Sequence, residues 1–190
     1  MKPKLNIVVC STRPNRVGSS VARWALEEAE AHGHFDAELV ELASFELPVF
    51  DEPEHPRLQK YQHAHTKSWS ASVDAADAFL FVLPEYNFGP PGALVNAMQY
   101  LGREWQYKAV GLVSYGGISG GMRSAQTVRG MVTVYKMVPL LEAVPVVNVA
   151  QQIDADKAFV PNEANTASAK AMLDELGRWT GALKTLRAPA

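Results

Sequence analysis

Short apolar runs alternate with longer stretches of helical period along this chain, and the two patterns predict different elements. Five runs have the length and apolar content of buried strands. They lie at residues 5–10, 37–42, 78–83, 110–115 and 144–149. Because a segment long enough for a crossover helix separates each run from the next, the strands are expected to be parallel.

Helical periodicity fills the segments between these strands. A helix is expected from about Ser19 to Gly33, and a polar helix near residues 58–75 follows a proline-rich loop. Pro91 suits the first turn of a third helix. A fourth helix, from about Gly120, carries Ala125, Val128, Val132 and Tyr135 on one side. The last helix is marked by the spacing of Met172, Leu173, Leu176, Trp179 and Leu183.

The order of these elements predicts an α/β fold, a doubly wound five-stranded parallel sheet with helices on both faces. The chain has 190 residues, which fit one such unit, so residues 1–190 are expected to form a single domain. Ligands of these sheets bind beyond the carboxyl ends of the strands. The loops after strands one, three and four are therefore the places where chemistry is expected.

The loop after the first strand reads S-T-R-P-N-R-V-G-S-S over residues 11–20 and opens a helix. Free N–H groups at a helix N-terminus attract anions, the hydroxyls of Ser11 and Ser19 can donate to phosphate oxygens, and Arg13 or Arg16 can neutralise the charge. The sequence contains neither G-x-G-x-x-G nor G-x-x-x-x-G-K-[ST]. The pattern therefore favours a monophosphate over a pyrophosphate, and an ordinary serine-capped turn is the alternative.

The loops after strands three and four have the features of a site for a flat heteroaromatic ring. Residues 84–97 read P-E-Y-N-F-G-P-P-G-A-L-V-N-A, and residues 114–121 read S-Y-G-G-I-S-G-G. Turn formation alone explains the glycines and prolines, but it does not require Glu-Tyr-Asn. An aromatic neighbour, backbone amides brought close by glycine and an apolar floor are what such a ring binds.

Three motifs, S-T-R-P-x-R-x-G, P-E-Y-N-x-G-x-P-x-x-L-x-N-A and S-Y-G-G-x-S-G-G-x-R, resemble those of the NADPH-dependent FMN reductase family from residue 5 to about residue 149. The resemblance implies a flavodoxin-like fold with bound FMN. It implies that the FMN phosphate is surrounded by Ser11, Arg13, Arg16, Val17, Gly18 and Ser19. It implies that the isoalloxazine is lined by Pro84, Glu85, Tyr86, Asn87, Ser114, Tyr115, Gly116 and Gly117. Cys10 stands where the family often has glycine.

The function implied is transfer of a hydride from NADPH or NADH through FMN to a small acceptor, such as a quinone, an azo compound, a metal oxyanion or free flavin. No side chain is expected to be catalytic, because the flavin carries the chemistry. The choice between the two nicotinamides stays open. A homodimer or homotetramer with the flavin near the interface is expected, partly because Met98, Tyr100, Trp105 and Tyr107 are of the types common at interfaces.

Charge and composition narrow the range of partners. With 18 Lys and Arg against 20 Asp and Glu, the net charge of −2 does not predict binding to nucleic acid or to an anionic membrane. The single cysteine excludes an intramolecular disulfide and fits a reducing cytoplasm. No apolar run is long enough to span a membrane. No metal is expected, since His55, His63 and His65 lack the spacing and companions of a metal site.

Two other functions fit part of the pattern. Cys10 and Arg16 have the C-x5-R spacing of a low-molecular-weight phosphatase. Pro14, however, removes an amide from that loop, and no Asp-Pro pair supplies a general acid. The other alternative is an electron carrier of the flavodoxin type, but the near-neutral charge and the missing T-x-T-G-x-T loop disfavour it.

Overall fold

The computed structural model describes residues 1–187 as alternating strands and helices. The strands are β1 (Lys4–Val9), β2 (Asp36–Glu41), β3 (Ala78–Pro84), β4 (Ala109–Tyr115) and β5 (Val138–Val146). The helices are α1 (Gly18–His32), α2 (Ala64–Ala75), α3 (Gly92–Gln99), α4 (Met122–Val132) and α5 (Glu163–Arg187). The single-domain prediction extends to residue 190, and residues 188–190 lie outside the described ones.

All five strands are parallel and lie in the order β2-β1-β3-β4-β5. The predicted doubly wound sheet is confirmed, and this strand order is the flavodoxin-like one. Val9 lies opposite Val82 in the register of β1 and β3, and the Cys10 N–H donates to the Val82 carbonyl at 3.0 Å. The loops after β1 and β3 therefore leave the same edge of the sheet side by side, where the topology switches direction.

The core forms two layers, one on each face of the sheet. Successive side chains of β3 point into opposite layers. Leu80 and Val82 lie in the layer under α1 and α5, and Phe79 and Phe81 lie in the layer under α2, α3 and α4. Every residue of β3 and β4 is buried, which is why these strands read as uninterrupted apolar runs. Among residues 1–187, no helix combines the length and apolar character needed to cross a bilayer.

The helix predicted near residues 58–75 begins later than expected. Glu52 accepts hydrogen bonds from the N–H groups of Gln62 at 2.8 Å and His63 at 3.0 Å. These bonds hold the chain extended before the helix, so that α2 begins only at Ala64. The fourth helix is also shorter than expected, because α4 ends at Val132 and a tighter turn, Thr133–Tyr135, follows it.

Strand β5 begins earlier than its prediction, at Val138 and not at residue 144. It is an edge strand, where Pro139 and exposed side chains are tolerated, so its apolar pattern is broken. The strand also bulges, because Val110 pairs with Pro139 whereas Leu112 pairs with Ala143. The guanidinium of Arg129 on α4 donates to the carbonyls of Leu140 and Leu141 inside this bulge.

One sequence argument for oligomerisation is wrong. Met98, Tyr100 and Trp105 are 0% exposed in the single chain, where they pack in the layer under α2, α3 and α4. They cannot supply an interface between copies of the chain. Their side chains instead fill the core beneath α3, where the centres of the Trp105 and Trp69 rings lie 5.7 Å apart.

Glu104 joins three segments in the interior and makes stability depend on pH. Its carboxylate accepts from Tyr61 Oη and Ser70 Oγ, each at 2.8 Å, and from the Gly102 N–H at 3.1 Å. Burial alone raises the pKa of Glu104, but these hydrogen bonds and its own N–H outweigh burial, so the net pKa lies below its ordinary value of 4.5.

We expect protonation of Glu104 to lower the free energy of unfolding as the pH falls. A group with a lower pKa in the folded state stabilises the fold above the unfolded pKa, and this stabilisation is lost as pH falls through the folded value. Urea unfolding from roughly pH 6 to roughly pH 3 should therefore show a shallower pH dependence in Glu104→Gln than in the wild type. Parallel curves for the two proteins would contradict this role.

Candidate functional site

The loop after β1 encloses a cavity of about 280 Å³ at the carboxyl edge of the sheet. Its walls come from all three loops that the sequence singled out: Arg13, Pro14, Asn15, Arg16, Val17, Tyr86 and Tyr115. Val17 is the residue at which α1 is capped, and the N-terminus of α1 therefore lies at this cavity. The site predicted for a phosphate group is thus a concave space at a helix N-terminus.

Two buried polar atoms at this cavity have no hydrogen-bond partner among the described residues. They are the Tyr115 hydroxyl and Nε of Arg16. Within residues 1–187, no backbone carbonyl accepts from the N–H groups of residues 15–19 either. Buried polar groups are normally paired, so the two side-chain atoms, with these backbone donors beside them, suit an acceptor with several oxygens. The phosphate of FMN fits that description.

An acidic residue that the sequence did not single out lies beside the phosphate loop. The Glu41 carboxylate, at the end of β2, contacts Arg16 Nη2 at 2.5 Å and accepts from Ser19 Oγ at 2.7 Å. Arg16 is therefore already paired, whereas the Arg13 side chain is exposed. Glu41 could have been found from the sequence, because it is a charged residue at the carboxyl end of a predicted strand.

Gly18 lets the third loop pack closely against the first. A Cβ built on Gly18 would lie 2.5 Å from the Tyr115 hydroxyl oxygen, closer than atoms can approach. A larger residue at position 18 would therefore displace the Tyr115 hydroxyl, which borders the cavity. The glycine lets α1 begin directly against this tyrosine, which places the unpartnered hydroxyl at the phosphate loop.

The loop after β3 makes a tight turn over residues 86–89. Tyr86 and Gly89 exchange two backbone hydrogen bonds, at 2.9 and 3.0 Å. The central residues, Asn87 and Phe88, have φ of 49° and 69°, a conformation that costs a residue with a Cβ about 1–2 kcal/mol. The Tyr86 hydroxyl lies 2.8 Å from Ser11 Oγ, so this strained turn carries a phenol to the first loop.

The loop after β4 presents glycine backbone to the same edge. Ser114 Oγ donates to the Gly120 carbonyl at 2.8 Å and so joins the two ends of this loop. A Cβ on Gly117 would meet no atom within 4 Å, and no backbone carbonyl in residues 1–187 accepts from the N–H groups of Gly117 or Ile118. The loop can therefore donate to a flat ring that lies against it.

Pro84, Glu85 and Asn87 complete the predicted set. Pro84 is the buried last residue of β3, and the Glu85 N–H donates to the Tyr115 carbonyl at 3.1 Å. The Glu85 carboxylate turns away from the cavity to Arg123, which the sequence placed in a motif but not in the site. All fourteen predicted residues lie at the carboxyl ends of β3 and β4, in the loops after β1, β3 and β4, or, for Gly18 and Ser19, in the first turn of α1.

Two of the three histidines set aside in the sequence lie together. The rings of His63, which precedes α2, and His65, in its first turn, stack at 5.2 Å, and Asp51 accepts from His65 at 3.1 Å. Asp51 is thus close to this pair but does not complete a metal-binding set. In the described part of the chain, no group of three or more His, Cys, Asp and Glu has a metal-binding arrangement.

A larger cavity, about 630 Å³, lies at the opposite edge of the sheet, by the amino ends of the strands. Its charged lining balances three lysines, Lys2, Lys4 and Lys184, with three carboxylates, Glu30, Asp36 and Asp77. Asp77 already pairs with Lys184 at 3.0 Å, and ligands of parallel sheets bind at the carboxyl ends of the strands. The smaller cavity with unpartnered donors therefore fits an anionic cofactor better.

Cys10 lacks the properties of a phosphatase nucleophile. The thiol is 0% exposed and donates to the Val8 carbonyl at 3.3 Å. Burial raises the pKa of Cys10 well above its ordinary value, whereas a nucleophilic thiolate needs a lowered pKa and access to the phosphoryl group.

We expect Cys10→Ser to keep most of the reductase activity. The substitution replaces a small buried side chain and removes no reacting group, so its cost is about 1 kcal/mol of stability. NAD(P)H oxidation with a quinone and hydrolysis of an aryl phosphate are measured on both proteins. Aryl phosphatase activity that is present in the wild type and absent in the variant would contradict this assignment.

Comparison with known proteins agrees with the geometry. A family model described as NADPH-dependent FMN reductase matches residues 3–152. The NAD(P)H-dependent FMN reductase C4B3.06c of Schizosaccharomyces pombe is 38% identical over 126 residues, which span 65% of this chain and 63% of that protein. The NAD(P)H-dependent FMN reductase ntnL of Nectria sp is 35% identical over 140 residues, 70% of each chain.

A solved structure shows the same fold. FerB, a flavoenzyme NAD(P)H:(acceptor) oxidoreductase from Paracoccus denitrificans, matches with a TM-score of 0.73 and 18% identity over 95% of this chain and 98% of that chain. The flavodoxin-like fold, FMN as the cofactor and an NAD(P)H-dependent reductase as the class of enzyme are confirmed. The chain belongs to the NADPH-dependent FMN reductase family.

Proposed function

We propose that the protein passes a hydride from NAD(P)H to a small acceptor by way of FMN bound above the carboxyl ends of β1, β3 and β4. The observation that carries this proposal is the cavity of about 280 Å³ at which the Tyr115 hydroxyl and Arg16 Nε lack an acceptor. It lies where the three sequence motifs meet, so one bound molecule can contact all of them.

The chain binds and orients the cofactor and leaves the redox chemistry to it. The phosphate is held by Ser11, Arg13, Arg16, Val17, Gly18 and Ser19. The ring is lined by Pro84, Glu85, Tyr86, Asn87, Ser114, Tyr115, Gly116 and Gly117. FMN, when bound, would supply the hydride chemistry, so none of these side chains is proposed as a general acid or base for the transfer between nicotinamide and flavin.

The acceptor is a small molecule of the quinone, azo, metal oxyanion or free-flavin type. The purified protein, reconstituted with FMN, is titrated with NADH and with NADPH under anaerobic conditions, and each acceptor is then added. Bleaching of the flavin absorbance and its recovery with an acceptor support the proposal. A flavin that free nicotinamide cannot reduce would identify an electron carrier instead.

We expect a homodimer or homotetramer with the flavin near the interface. Large apolar side chains are exposed around the site, with Phe88 at 69%, Ile118 at 85% and Met122 at 55%. Burying them against a second copy removes apolar surface from water and shields the flavin. Light scattering at micromolar concentration measures the mass, and a monomer would contradict the expectation.

We further propose that residues 1–190 act as one FMN-binding domain in the cytoplasm. One continuous sheet carries all three loops of the site. The only cysteine is buried and free, which fits a reducing compartment.

A further inference from the structure

The carboxylate of Glu85 lies between the loops that follow β3 and β4. Its side chain is 8% exposed. It accepts three hydrogen bonds from the second loop and the start of α4: from Ser119 Oγ at 2.9 Å, from the Arg123 N–H at 3.1 Å and from Arg123 Nη1 at 2.6 Å. These bonds outweigh the effect of burial and hold the pKa of Glu85 below its ordinary value.

These contacts pair the Glu85 carboxylate with donors of the protein itself. The Arg123 N–H belongs to the first turn of α4, whose own N-cap residue, Gly121, offers no side-chain oxygen. Glu85 therefore caps α4 from another loop and places a negative charge at its N-terminus. A side chain in this arrangement holds the Gly-rich loop against the loop after β3.

Arg123 also contacts the strained turn over residues 86–89. Its guanidinium carbon lies 4.2 Å from the centre of the Phe88 ring. Phe88 has φ of 69°, which an aromatic residue adopts only where its surroundings enforce it. Since the same turn carries Tyr86 to Ser11, the stacked guanidinium supports the geometry of the turn and of its phenol.

We propose that Glu85, Arg123 and Phe88 form a brace that positions the two ring-binding loops, and that the Glu85 carboxylate does not itself bind the cofactor. Glu85 thus belongs to the ring-lining loop through its backbone, and its side chain is a positioning group. The brace fixes the distance between the Tyr86 turn and the free amides of Gly117 and Ile118. This inference rests on the flavin site proposed above.

The brace predicts a specific pattern of binding. Loss of the brace should weaken every ligand that contains the isoalloxazine, whether or not the ligand carries a phosphate. FMN and riboflavin are therefore titrated separately into apoprotein, with flavin fluorescence giving both Kd values and visible circular dichroism reporting the surroundings of the ring.

Glu85→Gln keeps the shape of the side chain and removes its charge. We expect it to raise both Kd values about tenfold, to leave their ratio unchanged and to alter the circular dichroism of the bound flavin. Arg123→Gln removes both the ion pair with Glu85 and the stacking on Phe88, so it should also raise both values and leave their ratio unchanged. Asp174→Asn, which removes a paired but half-exposed carboxylate from α5, is the control and should change neither value.

The outcomes separate the brace from the site itself. Unchanged Kd values in Glu85→Gln, together with weakened FMN binding in Arg13→Ala, would overturn the brace and leave the site standing. A loss of FMN affinity alone in Glu85→Gln would also overturn it, because the carboxylate would then act on the phosphate. If neither Arg13→Ala nor Glu85→Gln affects binding, the site is wrong and the brace with it. Unfolding curves confirm that each variant is folded, and Arg123→Gln tests the brace if Glu85→Gln does not fold.

Discussion

Arg13→Ala is expected to weaken FMN binding by about 1.5 to 3 kcal/mol, or roughly 10- to 150-fold in Kd. Arg13 lines the cavity beside the loop after β1 and is exposed, whereas Arg16 already shares its charge with Glu41. Arg13 is therefore the guanidinium whose charge is free to pair with a phosphate. Removing it leaves the anion with Arg16 Nε, hydroxyl and backbone donors.

The binding of riboflavin distinguishes this effect from general damage to the site. Riboflavin lacks the phosphate, so its Kd should be the same in Arg13→Ala and in the wild type. Arg23→Ala removes the same charge from an exposed position of α1 that does not line the cavity, and it should leave both affinities unchanged. An equal loss of FMN and riboflavin affinity in Arg13→Ala would place Arg13 away from the phosphate.

Gly121→Ala is expected to destabilise the protein by at least about 2 kcal/mol. Gly121 has φ of 78°, and a Cβ there would lie 2.7 Å from the Tyr115 nitrogen and 2.8 Å from its carbonyl oxygen. The left-handed conformation alone costs about 1–2 kcal/mol. The overlap is with the backbone of a buried strand, which cannot move aside as a flexible side chain would, so it adds to this cost.

Gly130→Ala on the same helix provides the control for this substitution. A Cβ at Gly130 would meet no atom within 4 Å, and its φ is not in the left-handed range. Alanine there should stabilise the helix by about 0.4–1 kcal/mol. Thermal and urea unfolding of both variants measure the contrast. Equal stability of Gly121→Ala and the wild type would show that the loop after β4 can rearrange.

The sequence predicted β1 to β4 to within one residue of their observed bounds, including β2 at the edge, and it missed the start of β5. All residues of β3 and β4 are buried, so their apolar runs are unbroken and their bounds were close to the observed ones. Strand β5 lies at the edge, where partners exist on one side only and a bulge changes which residues face the core. Its first residues, from Val138 onward, therefore carry no recognisable strand pattern.

The three site loops were predictable because parallel topology brings the carboxyl ends of the strands to one edge. Contacts that depend on the register between strands were not predictable. Glu41 reaches Arg16 and Ser19 because it pairs with Val9 in the register of β1 and β2, which no local pattern encodes. The Glu85–Arg123 pair likewise joins residues 38 positions apart through the packing of two loops.

The bulge in β5 also determines how copies of this protein can meet. An open sheet edge offers a row of backbone groups to which another strand can add, the route to fibrous aggregates. Here Arg129 occupies the carbonyls of Leu140 and Leu141, and Pro139 and Pro145 have no N–H to donate. Continuation of the sheet into a neighbouring molecule is therefore opposed along the β5 edge, where contacts between copies have to be made by side chains.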